Sequence, residues 1–332
     1  MLESLEAEEL SSREIVAALL ARADEIDPTV NSLIHRFDDR ARRRAGEADQ
    51  ARSRGERWGP LHGLPLTVKE SIDTRGVAST LGLASRRDRA AEKHAVVVRA
   101  ALDAGAILLG KTNVPQTLAS PIHTVNPLWG RTNNPWKITH SSGGSSGGEA
   151  AALASGISVL GIGTDIGGSI RVPAAFCGIC GLKPTDDRWS NLGANSFLEG
   201  VGVASSQTGP MARTSGDLQL LFDTLAGPAQ TGLDPLVPPL PKTVNEPDVS
   251  DLRVGCYEHD GFFTPAPAVA RAVREAAALL AQRGIEVVSY RPPGPREVPY
   301  LMFQAAMADG GRFFRDQLTD EEEVIEPVRN VL

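Results

Sequence analysis

Residues 143–169 read GGSSGGEAAALASGISVLGIGTDIGGS, and this stretch decides how the rest of the chain is interpreted. Two glycine-serine loops, 143–148 and 167–169, are separated by a helix of small residues and an apolar strand. Glycine is favoured where the backbone takes a positive φ or comes close to another group. Since both loops also present serine hydroxyls and backbone N–H groups, the stretch predicts a site for acyl chemistry.

The second loop follows the apolar strand directly, in the sequence GIGTDIGGS at 161–169. Successive N–H groups of residues 166–169 can point into one concavity, and such a concavity binds an anion. Phosphate is one candidate anion, but the fingerprints GxxxxGK[ST] and GxGxxG are both absent from this stretch. The other candidate is the oxyanion of an acyl intermediate, with Ser169 as the attacking group. We therefore expect the N–H groups of Ile166, Gly167 and Gly168, with that of Ser169, to form an oxyanion hole.

A serine nucleophile needs a base that takes its proton. None of the six histidines lies in a motif that would pair it with Ser169 and an acid, although a distant histidine stays open at this point. Lysine is an alternative base where burial lowers its pKa toward neutrality. Lys69 closes the predicted strand 66–70, at a position where a parallel sheet presents catalytic groups. A surface charge is the alternative interpretation of such a lysine.

The composition excludes several classes of function. The chain has 332 residues, 41% of them hydrophobic and 23% charged, and a net charge of −7, which argues against a nucleic-acid partner. No apolar run is long enough for a transmembrane segment, and the acidic residues 1–9 are unlike a signal peptide. Three cysteines fit a reducing compartment, so we expect a cytoplasmic protein. Cys177 and Cys180 have redox spacing but are interpreted as buried side chains, and no metal site is expected.

Alternating strand and helix patterns predict an α/β fold with a mixed, largely parallel central sheet covered by helices on both faces. The first helix is expected to begin at a capping box formed by Ser11 and Glu14. The predicted helices are 11–26, 38–54, 95–105, 149–154, 167–175, 215–225, 266–283 and 298–317. The predicted strands are 31–37, 66–70, 106–109, 157–163, 252–257 and 285–290.

Three parts of the chain resemble the amidase signature family of serine hydrolases: Lys69, the loop 143–149, and the segment GTDIGGSIRVP at 163–173. Further matches are FCGICGLKPT at 176–185, GKTNVP at 110–115 and NNPW at 133–136. The resemblance covers most of 60–215, and long glycine-serine patterns of this kind are specific. The motif SGGE at 146–149 is closest to the fatty-acid amide hydrolase-like branch of the family.

The resemblance implies a Ser–cis-Ser–Lys triad. Carried over by motif, Ser169 is the nucleophile, Ser145 is the bridging serine that follows a cis peptide bond, and Lys69 is the base. The implied reaction is hydrolysis of a small-molecule carboxylic amide to a carboxylate and an amine or ammonia, through an acyl-serine intermediate and without a cofactor.

Other positions are expected to support this site. Ser146 and Thr164 belong to the same motifs. Asp165 and Arg171 either pair to fix the second loop or are ordinary structural partners. Leu118 resembles the family position at which a backbone group faces the substrate, and core packing is its alternative role.

Family members continue well beyond the equivalent of Leu332. We therefore expect one domain over 1–332, a truncated amidase signature domain with its catalytic core at about 60–215. Two alternative functions follow from the resemblance: a non-catalytic or partner-dependent fragment, and an amidotransferase A-type subunit that passes ammonia to tRNA. The acidic net charge counts against the second. A homodimer is left open as the assembly.

Overall fold

The computed structural model describes residues 1–196, 206–239, 248–318 and 322–329, so residues 197–205 of the expected catalytic core lie outside the described residues. Two compact units are distinguished, Met1–Leu240 with Gly311–Leu332 and Pro241–Gly310. Each unit is described by itself below, and the single domain expected over 1–332 stays a prediction.

The described helices and strands follow the predicted alternation in most places. The helices are α1 Leu2–Glu6, α2 Ser12–Val30, α3 Asp38–Ser53, α4 Val96–Asp103, α5 Gly147–Ala154, α6 Arg171–Cys177, α7 Ser215–Leu225, α8 Pro228–Thr231, α9 Pro267–Gln282, α10 Glu297–Ala306, α11 Arg312–Asp316 and α12 Glu326–Arg329. Short 3₁₀ turns occur at Ala84–Arg86, Gln116–Leu118 and Val249–Asp251. The strands are β1 Leu33–Arg36, β2 Pro65–Lys69, β3 Ile107–Thr112, β4 Val125–Asn126, β5 Gly130–Arg131, β6 Asn133–Asn134, β7 Lys137–Ser141, β8 Leu160–Asp165, β9 Cys180–Gly181, β10 Gln207–Ala212, β11 Arg253–Cys256 and β12 Glu286–Ser289.

Helix α2 begins at the predicted capping box. The Ser11 hydroxyl accepts from the Glu14 N–H at 3.1 Å, and the Glu14 carboxylate accepts from the Ser11 N–H at 2.8 Å. The helix runs four residues past the predicted end at 26, because Asn31, with a φ of 57°, supplies the left-handed residue that ends it.

The central sheet has the strand order β1-β3-β2-β8-β10-β9. Strand β2 pairs in parallel with β3 and β8 at the centre, and the outer pairings are antiparallel. Strand β10 is absent from the sequence-based prediction because its sequence QTGPMA contains Gly209 and Pro210, residue types that are depleted in strands. The predicted fold class, a mixed α/β fold with a parallel centre, is confirmed.

Helices cover both faces of this sheet. Along β2, Leu66 and Val68 point into a core that also contains apolar residues of α3, α4 and α7. Because side chains alternate along a strand, Thr67 and Lys69 point to the opposite face, where α5 packs. The chemistry described below therefore lies on the α5 face of the sheet.

The unit Pro241–Gly310 contains the predicted second βαβ motif, with β11 and β12 paired in parallel. Helix α9 connects them and ends before Gly284, which has a φ of 85°.

The single helix predicted over 298–317 is wrong. Gly310 and Gly311 take φ values of 70° and 72°, so the chain forms α10 and α11 in its place.

Candidate active site

Lys69 and Ser145 form a buried hydrogen-bonded pair. The Lys69 side chain is fully buried at the end of β2, and its Nζ lies 2.6 Å from the Ser145 Oγ. Its other neighbours belong to Thr164 on β8, with Oγ1 at 2.7 Å and the carbonyl oxygen at 3.4 Å. Since β2 and β8 are adjacent parallel strands, their carboxyl ends bring Lys69 and Thr164 to the same edge of the sheet.

An uncharged amine can make all three contacts. A neutral lysine has two N–H donors and one lone pair, and a carbonyl oxygen can only accept. The Thr164 carbonyl and hydroxyl oxygens can therefore take the two donors, and the Ser145 hydroxyl can donate to the lone pair. The arrangement allows Lys69 to accept the Ser145 proton.

Burial favours the uncharged amine over the ammonium. Removal of Lys69 from water lowers its pKa from 10.5 to about 7. Three nearby acids act in the opposite direction and only partly offset burial: Asp165, Glu70 and Glu149. Lys69 is therefore poised to gain or lose a proton near neutral pH.

The first glycine-serine loop positions Ser145. The peptide bond between Gly144 and Ser145 is cis, as the resemblance implies. Gly144 has no room for a side chain, because a Cβ there would lie 2.5 Å from the carbonyl oxygens of Ser120 and His123. The Ser146 N–H donates to the Ser169 carbonyl oxygen at 3.0 Å, so the first loop is joined directly to the second.

The second loop contains Ser169, which is 7% exposed and whose hydroxyl has no hydrogen-bond partner among the described residues. The Gly168 N–H donates to the Asp165 Oδ1 at 2.7 Å, so it is satisfied within the loop. This differs from the expectation of a free Gly168 donor. Within the described part of the chain, no group accepts from the N–H groups of Ile166, Gly167 or Ser169.

Asp165 organises this loop. Its carboxylate also accepts from the Ile170 N–H at 3.0 Å and from the Arg171 Nε and Nη2 at 3.0 and 2.9 Å. Burial raises the pKa of Asp165, but the hydrogen bonds from Arg171, Gly168 and Ile170 outweigh it and the net pKa is lowered. The ion pair considered in the sequence is therefore present, with the carboxylate buried and the guanidinium half-exposed.

Leu118 combines features of both roles considered for it. Its side chain packs with Leu81 and Val114 in a small buried cluster. Thr117 and Leu118 have φ values of 58° and 62°, in the left-handed region that non-glycine residues seldom adopt. The backbone here therefore has an unusual local course, and a substrate-facing role for Leu118 stays a prediction.

Three further residues of the site are not predicted from the sequence. The fully buried carboxyl group of Glu149, on α5, accepts hydrogen bonds from the hydroxyls of Thr67 on β2 and Thr112 on β3. Glu149 stands out in the sequence only as a marker of one family branch. Its position in a helix of small residues is the one signal that it faces the sheet.

The described residues contain no evident metal site. Among them, no group of three histidine, cysteine or acidic side chains could hold a metal ion. Cys177 and Cys180 are free, and burial raises the pKa of the Cys177 thiol to about 12. The thiolate needed for metal binding or redox chemistry is therefore disfavoured at Cys177.

No helix in the described ranges is long and apolar enough to cross a membrane.

Comparison with known proteins identifies the family of the chain. Residues 14–330 match the family model described as Amidase. The chain is 38% identical to fatty-acid amide hydrolase 1 of Sus scrofa over 316 residues, 94% of this chain and 53% of that protein. It is 37% identical to the A-type subunit of glutamyl-tRNA(Gln) amidotransferase from Synechococcus sp. over 298 residues, 88% of this chain and 59% of that protein.

A solved structure of a fatty acid amide hydrolase has a TM-score of 0.92 and 31% identity, over 98% of this chain and 57% of that one. The chain thus spans between about half and three fifths of the length of these proteins. The motifs, the fold and the sequence matches together establish that the chain belongs to the amidase family.

Proposed function

We propose that this protein is an amidase that hydrolyses a carboxylic amide through an acyl-serine intermediate. One observation carries the proposal: the Lys69 Nζ, fully buried, lies 2.6 Å from the Ser145 Oγ in a loop joined to Ser169. Ser169 is the proposed nucleophile, Ser145 the proton relay and Lys69 the base.

The reaction begins when the Ser169 Oγ bonds to the amide carbonyl carbon. The Ser169 proton moves to the Ser145 Oγ as the Ser145 proton moves to the Lys69 Nζ. Collapse of the tetrahedral intermediate breaks the C–N bond, and a proton returns through Ser145 to the leaving amine. Water then attacks the acyl carbon as its proton moves through Ser145 to Lys69, the bond from this carbon to the Ser169 Oγ breaks, the proton returns to that Oγ, and the carboxylate is released.

The N–H groups of Ile166, Gly167 and Ser169 are the proposed oxyanion donors. This assignment is supported because no described residue accepts from these three N–H groups, whereas the Gly168 N–H donates to the Asp165 carboxylate. Gly168 contributes through its φ of 114°, a value that suits glycine and turns the loop. Loss of one such donor typically costs about 2.7–4 kcal/mol of transition-state stabilisation.

Four residues have proposed supporting roles. Thr164 accepts hydrogen bonds from Lys69, and the Ser146 Oγ lies 3.3 Å from the Thr164 carbonyl oxygen. Asp165 and Arg171 hold the second loop in shape.

Labelling with a fluorophosphonate, which reacts with activated serines, tests the proposal. The wild type should be labelled, and peptide mass spectrometry should find the label on Ser169. Ser169→Ala should abolish labelling. Ser155→Ala is a matched control, because that buried hydroxyl donates only to backbone carbonyls of α5, and it should label like the wild type. Full labelling of Ser169→Ala, or a label on another serine, would contradict the proposal.

Hydrolysis of an amide panel then tests the substrate class. Aliphatic, aryl, fatty and cyclic amides should be compared, with Ser169→Ala as the blank. A wild type that is labelled but releases no amine from any panel member would favour a role that depends on a partner chain.

An amidotransferase A-type subunit is the second candidate. The similarity to the Synechococcus sp. protein, 37% over 88% of this chain, favours it. It would use the same serine and lysine groups on glutamine and pass the ammonia on. Ammonia release from glutamine that requires added amidotransferase partner subunits would support this candidate, and hydrolysis of the panel by the protein alone would support the first.

We further propose a cytoplasmic location, which the three free cysteines support. A homodimer is the proposed assembly, and sedimentation of the purified protein would test it.

A further inference from the structure

Glu149 is a fully buried acid for which the proposed reaction has no direct use. It is the third residue of α5, where a glutamate often folds back onto the N–H of the residue before the helix. That N–H belongs to Ser146, and it donates to the Ser169 carbonyl oxygen. Glu149 therefore extends toward the sheet and does not cap its own helix.

The carboxyl group connects α5 to two strands. One oxygen accepts from the Thr67 hydroxyl on β2, and the other accepts from the Thr112 hydroxyl on β3 at 2.9 Å. All three side chains are fully buried, so water does not compete for these hydrogen bonds. Buried hydrogen bonds of this kind fix the relative position of the elements that they join.

The positions of these contacts in the chain link them to the Lys69–Ser145 pair. Thr67 lies two residues before Lys69 on β2, so both side chains project from the same face of the strand. Glu149 lies four residues after Ser145, in the first turn of the helix that follows the loop. One carboxyl group thus connects the strand that carries the base to the segment that carries the relay.

The space around the carboxyl group leaves it little freedom. A Cβ on Gly161 of β8 would overlap the Glu149 Oε1, so the carboxyl group lies directly against the β8 backbone. A Cβ on Gly148 would overlap the Asn113 backbone of the segment that follows β3. Helix α5 is therefore pressed against β3 and β8, and Glu149 fills the space that this close approach leaves.

We propose that Glu149 is a positioning residue, which fastens α5 to β2 and β3 and thereby holds the Ser145 hydroxyl within hydrogen-bond distance of Lys69. The inference rests on the proposed function for its catalytic consequence, whereas the structural connection is independent of activity. A displacement of about 1 Å in a reacting group can cost about 100-fold in rate.

The protonation state of Glu149 also affects Lys69, because the two side chains lie close together. Burial raises the pKa of Glu149 to about 8, and the hydrogen bonds from the threonines and the charge of Lys69 lower it only in part. When the carboxyl group is protonated, it places no negative charge close to Lys69, and its O–H group donates to one of the two threonine hydroxyls in place of accepting from it. Glutamine resembles that neutral acid, and its oxygen and nitrogen can bond one threonine hydroxyl each.

Four variants test the proposal by fluorophosphonate labelling between pH 6 and 9. Glu149→Ala and the double variant Thr67→Val/Thr112→Val should lose about ten-fold or more in labelling rate at every pH. Glu149→Gln should stay within about three-fold of the wild type, because it keeps both contacts. Ser190→Ala is the control, since it removes another buried hydroxyl-to-carboxylate bond, to Asp234. It should lower the melting temperature and leave the labelling rate unchanged.

Hydrogen exchange of the amides in 144–149 provides a readout that does not depend on activity. Exchange in this segment should accelerate in Glu149→Ala and in the double threonine variant, and stay slow in Glu149→Gln and Ser190→Ala. If Glu149→Ala does not fold, the double variant decides, because valine keeps the shape of threonine.

Two results would overturn the inference. One is amide hydrogen exchange in residues 144–149 of Glu149→Ala that is as slow as in the wild type. The other is an equal loss of labelling in Ser190→Ala at the same fall in melting temperature. A wild type without label on Ser169 would refute the proposed function alone, and exchange would then decide the positioning role by itself.

Discussion

Replacement of Lys69 by methionine should stabilise the fold, and the gain should shrink as the pH rises. Burial lowers the pKa of Lys69 from 10.5 to about 7. Between these two values the folded protein binds fewer protons at this site than the unfolded chain does. The stability of the wild type therefore rises with pH across this window, and below pH 7 the full cost of the buried amine is present. Methionine has no such cost.

The size of the effect follows from the two pKa values. One pKa unit corresponds to about 1.4 kcal/mol, so the lowered pKa of Lys69 costs about 5 kcal/mol of stability at pH 6 and about 2 kcal/mol at pH 9. Loss of the hydrogen bonds to Ser145 and Thr164 opposes the gain by about 1–3 kcal/mol, and this term does not depend on pH. The gain from methionine should therefore fall by about 3 kcal/mol between pH 6 and 9.

Urea unfolding at both pH values, followed by tryptophan fluorescence, to which the buried Trp189 contributes, measures this difference. Lys137→Met is the control, because it removes the same charge from an exposed position. The Glu149 carboxyl group titrates in the same range, so the comparison is repeated in a Glu149→Gln background. A gain that is equal at both pH values, or larger at pH 9, would refute the proposed cost of the buried amine.

Three further predictions concern the same site. The rate of fluorophosphonate labelling at Ser169 should rise about ten-fold per pH unit below pH 7 and level off above about pH 8, as the buried base loses its proton; a flat profile from pH 5 to 9 would contradict this. Gly161→Ala should destabilise the wild type by about 1–3 kcal/mol in urea unfolding, and by less in a Glu149→Ala background, where the overlapping carboxyl group is gone. Asp165→Asn should lower the melting temperature more than Arg171→Ala does, because the carboxylate is buried under several donors and the guanidinium is half-exposed; equal effects would count against it.

The sequence predicted the elements where local signals and tertiary packing agree. The capping box at Ser11 and the glycine at 284 mark helix ends through contacts within a few residues, and both predictions are confirmed. Strand β10 was missed because Gly209 and Pro210 oppose a strand locally, while pairing with β8 stabilises it in the sheet. Pairing of that kind depends on residues far apart in the chain and leaves no local pattern.

In the candidate site, too, features with a local sequence signal were predicted and features that depend on distant residues were not. The second glycine loop indicated Ser169 from its own residues, whereas the roles of Ser145 and Asp165 entered the prediction through the resemblance to the amidase signature family. The spacing of Asp165 and Gly168 does not predict the hydrogen bond from the Gly168 N–H to the Asp165 carboxylate, because the conformation of the turn between them determines which amides face the carboxylate. The role of Glu149 depends on two strands that are distant in sequence, so no local signal could assign its partners.

The choice between two lysines shows why register decides chemistry here. Lys69 and Lys111 both lie at or near the ends of parallel strands, and both are fully buried, so residue type and position do not separate them. In the sheet, Lys111 is level with Val68 and not with Lys69, so the two amines project from opposite faces.

On its own face, the Lys111 Nζ contacts the Ala78 carbonyl oxygen and the Ser79 hydroxyl, each at 3.0 Å. Ser79 donates its proton to Asp73 at 2.7 Å, so it is not available to donate to an amine lone pair. Among the described residues, the Lys111 amine therefore meets only hydrogen-bond acceptors, whereas Lys69 meets a serine hydroxyl that is able to donate. A shift of one residue in the pairing of β2 with β3 would bring both amines to the same face of the sheet, so the observed register keeps Lys111 away from the face on which Lys69 contacts Ser145.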